Sequence, residues 1–353
     1  MAQIIDQIVK ISIQDAISSV TTVDVNTVAL VGKAEGKDAA EVSSLDGAKT
    51  AFGEDSELYQ MMKAFFAQDS QPSRVVGIPA GSDALAAVQA ASENFDFYHV
   101  VVATDDAQAL TLASIKAWHE WAADVKKMVH IQVPNVDAMA GTDSRADAGY
   151  DRVAVYVHKE KTTVGEKTVY EFLPVGIVAL RCASDSARGT FAHKKCKGVT
   201  PDSYSVEEYN EAIDRGLNIY VKVSGEARLF MGTTSSNEKF IDQIIKDDWI
   251  RFNVQSRIYK LLGEGNDGNG VNYDDAGIGA VAASVLNVLT VAQDTDHQYV
   301  MADSASVDYK PYSYLVENYA DDVRKRNLPL IKGRYARMNS IHTVVQVDLQ
   351  VTL

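Results

Sequence analysis

At 353 residues, 46% apolar and 23% charged, the chain has an ordinary globular composition and enough length for two sizeable cores. Its formal charge of −14 is spread along the sequence and disfavours a nucleic-acid partner; the basic clusters HKKCK (193–197) and DVRKRN (322–327) are short and flanked by acids. No 18-residue apolar run is present to insert in a membrane, the opening MAQIIDQIVKISIQD lacks the continuous apolar stretch of a signal peptide, and two cysteines, Cys182 and Cys196, make no disulfide framework and fit a reducing compartment.

Residues 1–20 read as a β-arm, with Ile5, Val9, Ile11 and Ile13 alternating with polar residues. Residues 21–135 alternate short apolar strands with helices. TVALVG precedes a helix around SELYQMMKAFFAQ, for which Ser56 is the expected N-cap. RVVGI, a helix opened by Ser82, FYHVVVA, a long helix through ALTLASIKAWHEWAADVK and then MVHIQV follow. Strands separated by helices of this length imply parallel crossovers, hence an α/β sheet covered by helices.

Residues 136–200 connect the two halves. DAMAGTDSRADAGYD (137–151) is a polar loop, and RVAVYVH is a further strand, whose pattern leaves open whether it joins the first sheet.

Residues 201–340 read as a second, mixed α+β domain. NIYVKV and RLFMG form a hairpin across Ser224-Gly225-Glu226. A long helix follows from Ser235, which with Glu238 fits a capping box; Phe240, Ile241, Ile244, Ile245, Trp249 and Phe252 form its apolar stripe. A second helix over about 275–293 presents Ile278, Val281, Val285, Leu289 and Ala292 on one face. The chain ends in HTVVQVDLQVTL, and residues 341–353 form a C-terminal β-arm with Val345, Val347, Leu349, Val351 and Leu353 on one face. Such a strand pairs either with its own fold or with another copy, and alternation alone leaves both open.

The motifs of catalysis break down when counted. Gly32 and Gly36 enclose three residues where a phosphate loop needs four, and Asp38 stands where the metal-binding hydroxyl belongs. Four residues after His119 stands Ala123, not a second zinc-binding histidine. His193 and Cys196 have ligand spacing but no second pair nearby, GEGNDGNG lacks the carboxylates of a calcium loop, and the seven histidines are scattered singly. The expectation is no enzyme, no cofactor and no metal.

Several stretches together resemble the contractile tail sheath family of bacteriophages and R-type tailocins. AFGEDSELYQMMKAFFAQDSQPSRVVGI is similar to a sheath pattern of Phe-Gly, a spaced Tyr, an aromatic-rich helix and a basic-apolar strand, and ALAAVQAASENFDFYHVVVAT continues it. The densest similarity lies in NIYVKVSGEARLFMGTTSSNEKFIDQIIKDDWIRFNVQSRIYKLL, followed by VNYDDAGIGAVAASVLNVL and SIHTVVQVDLQVTL. Residues 137–167 match poorly. The resemblance implies a virion or tailocin structural subunit, assembled in the bacterial cytoplasm, whose rings stack around an inner tube and contract. It implies itself, the inner tube protein, and the baseplate and tail terminator proteins as partners. It further implies that both β-arms reach into neighbouring subunits. The alternatives are a non-contractile tail or baseplate protein and a nucleotide-binding α/β enzyme.

Overall fold

The computed structural model describes residues 24–102, 112–136, 149–158, 161–164, 167–236, 239–264 and 270–342. At its centre six strands run parallel: β1 (Val28–Gly32), β3 (Val75–Pro79), β4 (His99–Val102), β5 (Met128–Val133), β6 (Val153–Val157) and β9 (Asn218–Val223). The antiparallel strands β2 (Ala40–Val42) and β10 (Glu226–Phe230) flank them, giving the order β10-β9-β6-β5-β4-β1-β3-β2.

Strands β1, β4, β5 and β6 are buried at every position, because helices cover both faces. On one face lie α1 (Leu45–Phe52), α2 (Glu57–Phe66), α5 (Leu173–Cys182) and α7 (Ile241–Glu264), which meet Leu30, Val101, Ala154 and Tyr156 of the sheet. On the other lie α3 (Ala84–Ala91), α4 (Leu112–Val125) and α6 (Val206–Asp214), around Val31, Val100, Ile131 and Val155. Outside these layers, α8 (Asp275–Val291) packs along α7, and buries Ile278, Val281, Val285 and Leu289, with Ala292 just past its end. Two small ribbons, β7 (Lys161–Val164) with β8 (Lys167–Tyr170) and β11 (Ser306–Asp308) with β12 (Lys332–Arg334), complete the strands described, and α9 (Tyr312–Asn318) and α10 (Ala320–Arg324) the helices.

The hairpin read at 218–230 is present, turning through Ser224 and Gly225, both at positive φ as a two-residue turn requires. It does not found a second sheet. Strand β9 pairs in parallel with β6, so the boundary read at residue 200 does not divide two sheets. The reason is the buried face of β9: Ile219 carries the apolar side chain that continues the first core.

Helix starts shift where a local bond competes. The Ser56 hydroxyl accepts from the Tyr59 amide, capping α2 as expected, but α3 is capped by Asp83, not Ser82. Helix α7 begins at Ile241 rather than after Ser235, because Phe240 makes an antiparallel bridge to Thr233 and the Ser235 amide donates to the Val153 carbonyl. Glu238, the other half of the expected capping box, lies outside the described residues, as does 137–148 of the polar loop.

Candidate assembly site

The arm residues Ile5, Val9, Ile11, Ile13, Val345, Val347, Leu349, Val351 and Leu353 lie outside the described residues; their roots do not. At the N-terminal root, the Ser186 amide donates to Asn26 Oδ1 at 2.7 Å and its hydroxyl to the Val25 carbonyl at 2.9 Å. At the C-terminal root, His342 Nε2 lies 2.7 Å from the Thr190 hydroxyl, its carbonyl accepts from His193 Nε2 at 3.2 Å, and its ring meets Phe240 edge-on at 4.5 Å. Both ends therefore leave the body from one connection, residues 186–193, which follows α5.

Before His342 the chain runs along α7, antiparallel to it. Asp247 accepts from the Tyr335 hydroxyl at 2.9 Å and Arg337 Nε at 2.8 Å; Lys246 donates to the Met338 carbonyl at 2.7 Å; Gln243 donates to Asn339 at 3.2 Å. Lys246 also donates to Asp242 at 2.6 Å, an ion pair almost wholly shielded from water, one turn apart on the helix. Asp248, two residues after Lys246, turns to the sheet. It is held by both Arg152 Nη atoms, one at 2.9 Å, and by the Tyr98 hydroxyl at 2.6 Å. Burial opposes the Arg152 charge, but the Asp248 carboxylate outweighs it and raises the guanidinium pKa. Breaking such a pair by removing one member is far costlier than never having built it.

Of the stripe read on this helix, Ile241, Ile244, Ile245 and Phe252 are buried. Trp249 is half-buried, edge-on to Tyr299 at 5.0 Å and tilted over His297 at 4.9 Å. Phe240 is half-buried and precedes the helix. Asp242, Lys246 and Asp248 were missed, because a charged helical position reads as solvated. The available signal was the opposite-charge spacing of Asp242 and Lys246 beside an apolar stripe.

No protein-family model and no curated protein matches this sequence. Solved structures do. The six-fold symmetrised baseplate of the anti-feeding prophage superposes with a TM-score of 0.67 at 14% identity, over 97% of this chain and 98% of that one. The contracted helical sheath of the same particle gives 0.66 at 12% over 97% and 98%, and its contracted baseplate 0.60 at 15% over 98% and 97%. The chain shares its fold with these particle proteins. The α/β and mixed α+β elements read from the sequence belong to that fold.

The titratable clusters make structural bonds. His99, His130 and Tyr156, on adjacent strands, form a buried chain with contacts of 2.9 and 3.1 Å, and burial pushes His99 down to about pH 3 and His130 well below its usual value. His158 sits between Asp202 (2.6 Å) and Glu171 (2.7 Å); burial works against its charge, but the two carboxylates outweigh it and raise its pKa. Cys196 is buried and its thiol is pushed up to about 12, far from a metal-binding thiolate, while His193 faces His342 instead. Among the described residues, no group of three His, Cys, Asp or Glu could hold a metal ion, and no helix is long and apolar enough to cross a membrane.

The strand order places β1 between the second and third parallel strands, the arrangement at whose switch point α/β proteins bind ligands. At the exit of β1, however, the Lys33 amide donates to the Glu57 carboxylate at 2.9 Å, and the Leu58 amide to the Lys33 carbonyl at 3.1 Å. An amide that a phosphate loop would offer to an anion is engaged with a carboxylate of the chain itself.

Proposed function

We propose that this chain is a structural subunit of a contractile tail sheath, which polymerises as stacked rings around an inner tube and shortens to drive it through a cell envelope. The observation that carries the reading is a fold likeness that runs the length of both chains, to a helical sheath in its contracted state and to the baseplate of the same particle. The residue patterns of the Asn-x-Tyr strand, the Gly-Thr-Thr turn and the Asp-Trp-Ile helix support it independently.

In this reading the β-arms enter neighbouring subunits and add strands to them, which satisfies their backbone donors and acceptors, with alternate apolar side chains setting register. A head-to-tail contact of this kind closes into rings or propagates as a helix. Its partners are further copies of itself, the tube, the baseplate and the terminator, in a virion or tailocin particle assembled in the bacterial cytoplasm. Contraction is a rigid-body rearrangement of folded units from a metastable lattice, and it uses no nucleotide, cofactor or metal.

The baseplate likeness favours one second reading, a subunit that forms a single baseplate ring and does not contract. Negative-stain electron microscopy of the purified full chain, alone and with its tube protein, separates the two. Long tubes are expected; closed single rings would favour the second reading. A clear melting shift with ATP or NAD would overturn both in favour of a nucleotide-binding enzyme.

A further inference from the structure

Residues 301–342 are folded against the body with little burial: Leu315 alone among them is buried. What fixes the last part of this segment is the row of polar bonds along the first two turns of α7. In chain order, Tyr335 and Arg337 meet Asp247, Met338 meets Lys246, and Asn339 meets Gln243; past the row, just before the helix, the His342 ring packs edge-on against Phe240. The segment and the helix run in opposite directions. The bonds are spaced along the helix, so a pull directed along the segment loads them together, in shear, whereas a pull away from the helix peels them off one at a time.

We infer that residues 335–342 are a mechanical clamp, which passes tension on the C-terminal end of the chain into α7 and from there into the sheet. Two features of the helix fit this role. Lys246 lies at the middle of the row and is held from behind by buried Asp242. Asp248, two residues on, ties the helix to Arg152 just before β6 and to Tyr98 just before β4. The path from chain end to parallel sheet thus runs through charge-assisted bonds, which are the stronger class. A second brace holds the segment from its other side, where the Met338 amide donates to the Tyr299 carbonyl and the Met301 amide to the Ala336 carbonyl, each at 2.8 Å. The use of such a clamp, to hold one subunit to the next while a lattice moves, rests on the sheath reading; the clamp itself does not.

The test stretches the full-length monomer in optical tweezers, with handles at the C-terminus and at an exposed Glu93→Cys; the native cysteines are buried. In the otherwise unaltered chain the clamp should hold until the body unfolds, in one event. Asp247→Asn and, separately, Arg337→Ala at an exposed position should add an earlier, lower-force event that releases the segment. Arg74→Ala, which removes an exposed pair at the far sheet edge, should not. Without force, amide exchange at Met338 and Met301 should quicken about tenfold in Asp247→Asn, the factor for about 1.4 kcal/mol. An unaltered chain that already sheds the segment at low force, or variants with unchanged traces, would overturn the clamp whatever tubes the protein forms. Absent tubes with an intact clamp would sink the sheath reading alone.

Discussion

His99 is fully buried, and hydrogen-bonded at Nδ1 to His130, so its ring is kept neutral, with a pKa of about 3 against 6.5 when free. Below pH 6.5 the unfolded chain takes up a proton at this residue that the folded chain refuses. Its contribution to stability is therefore complete above about pH 6.5 and is lost as pH falls toward 3, by up to about 1.4 kcal/mol per pH unit. Melting temperature measured across that range should fall more steeply in the natural protein than in His99→Gln, which keeps a hydrogen-bonding side chain but does not titrate. Equal slopes would mean that His99 does not contribute to acid unfolding. A second position is steric. A Cβ on Gly77, in the middle of β3, would lie 2.3 Å from the Phe52 ring and 2.7 Å from the Met62 methyl. Gly77→Ala should destabilise by about 1–3 kcal/mol by overpacking, read from urea unfolding. Neither effect was legible in the sequence: His99 and His130 are 31 positions apart, and only the pairing of β4 with β5 brings them together.

At the scale of the element, the sequence located α7 by its apolar stripe but misjudged which residues share its interior. Ile245 is fully buried, whereas Trp249 is half-buried at the α7 edge against Tyr299. Ile245→Ala should cost about 2–5 kcal/mol, and Trp249→Ala less than a core aromatic's 3–5 kcal/mol, near 2. Denaturant unfolding of both variants checks the order; a larger loss at Trp249 would show that its packing on Tyr299 and His297 outweighs its exposure. The start of α7 could not be read from the Ser235–Glu238 spacing, since the Ser235 amide is engaged by the Val153 carbonyl of β6, a partner 82 positions away. The hairpin, in contrast, was legible because both its alternation and its turn residues are local.

For the whole molecule, the sheath reading makes the terminal strand decisive. Deleting 343–353 should abolish tubes while leaving the melting temperature of the monomer almost unchanged, because the strand's partners would belong to another subunit. Val347→Asp with Leu349→Asp should do the same at full length, since two buried charges oppose strand addition. Electron microscopy and circular dichroism read the two outcomes. Long tubes from the truncated chain, or loss of its fold, would each refute donation of the strand. The roots bear on this too: Asn26 and His342, near the two arms, are both bonded to the 186–193 connection.

What the sequence determined by itself was the set of local facts. Short apolar runs separated by helical lengths specified parallel crossovers, and the Ser56 hydroxyl specified its own helix start, because these depend on residues a few positions apart. The absence of a complete phosphate-loop or zinc spacing was likewise written in the order of residues. Tertiary structure decided the rest. It joined the hairpin to the first sheet through β6, placed Lys246 and Asp248 in the interior, and gathered Ser186, Thr190 and His193 around the roots of both chain ends. Each of these turns on a partner distant in the sequence, and burying a charge is tolerable only where folding supplies that partner.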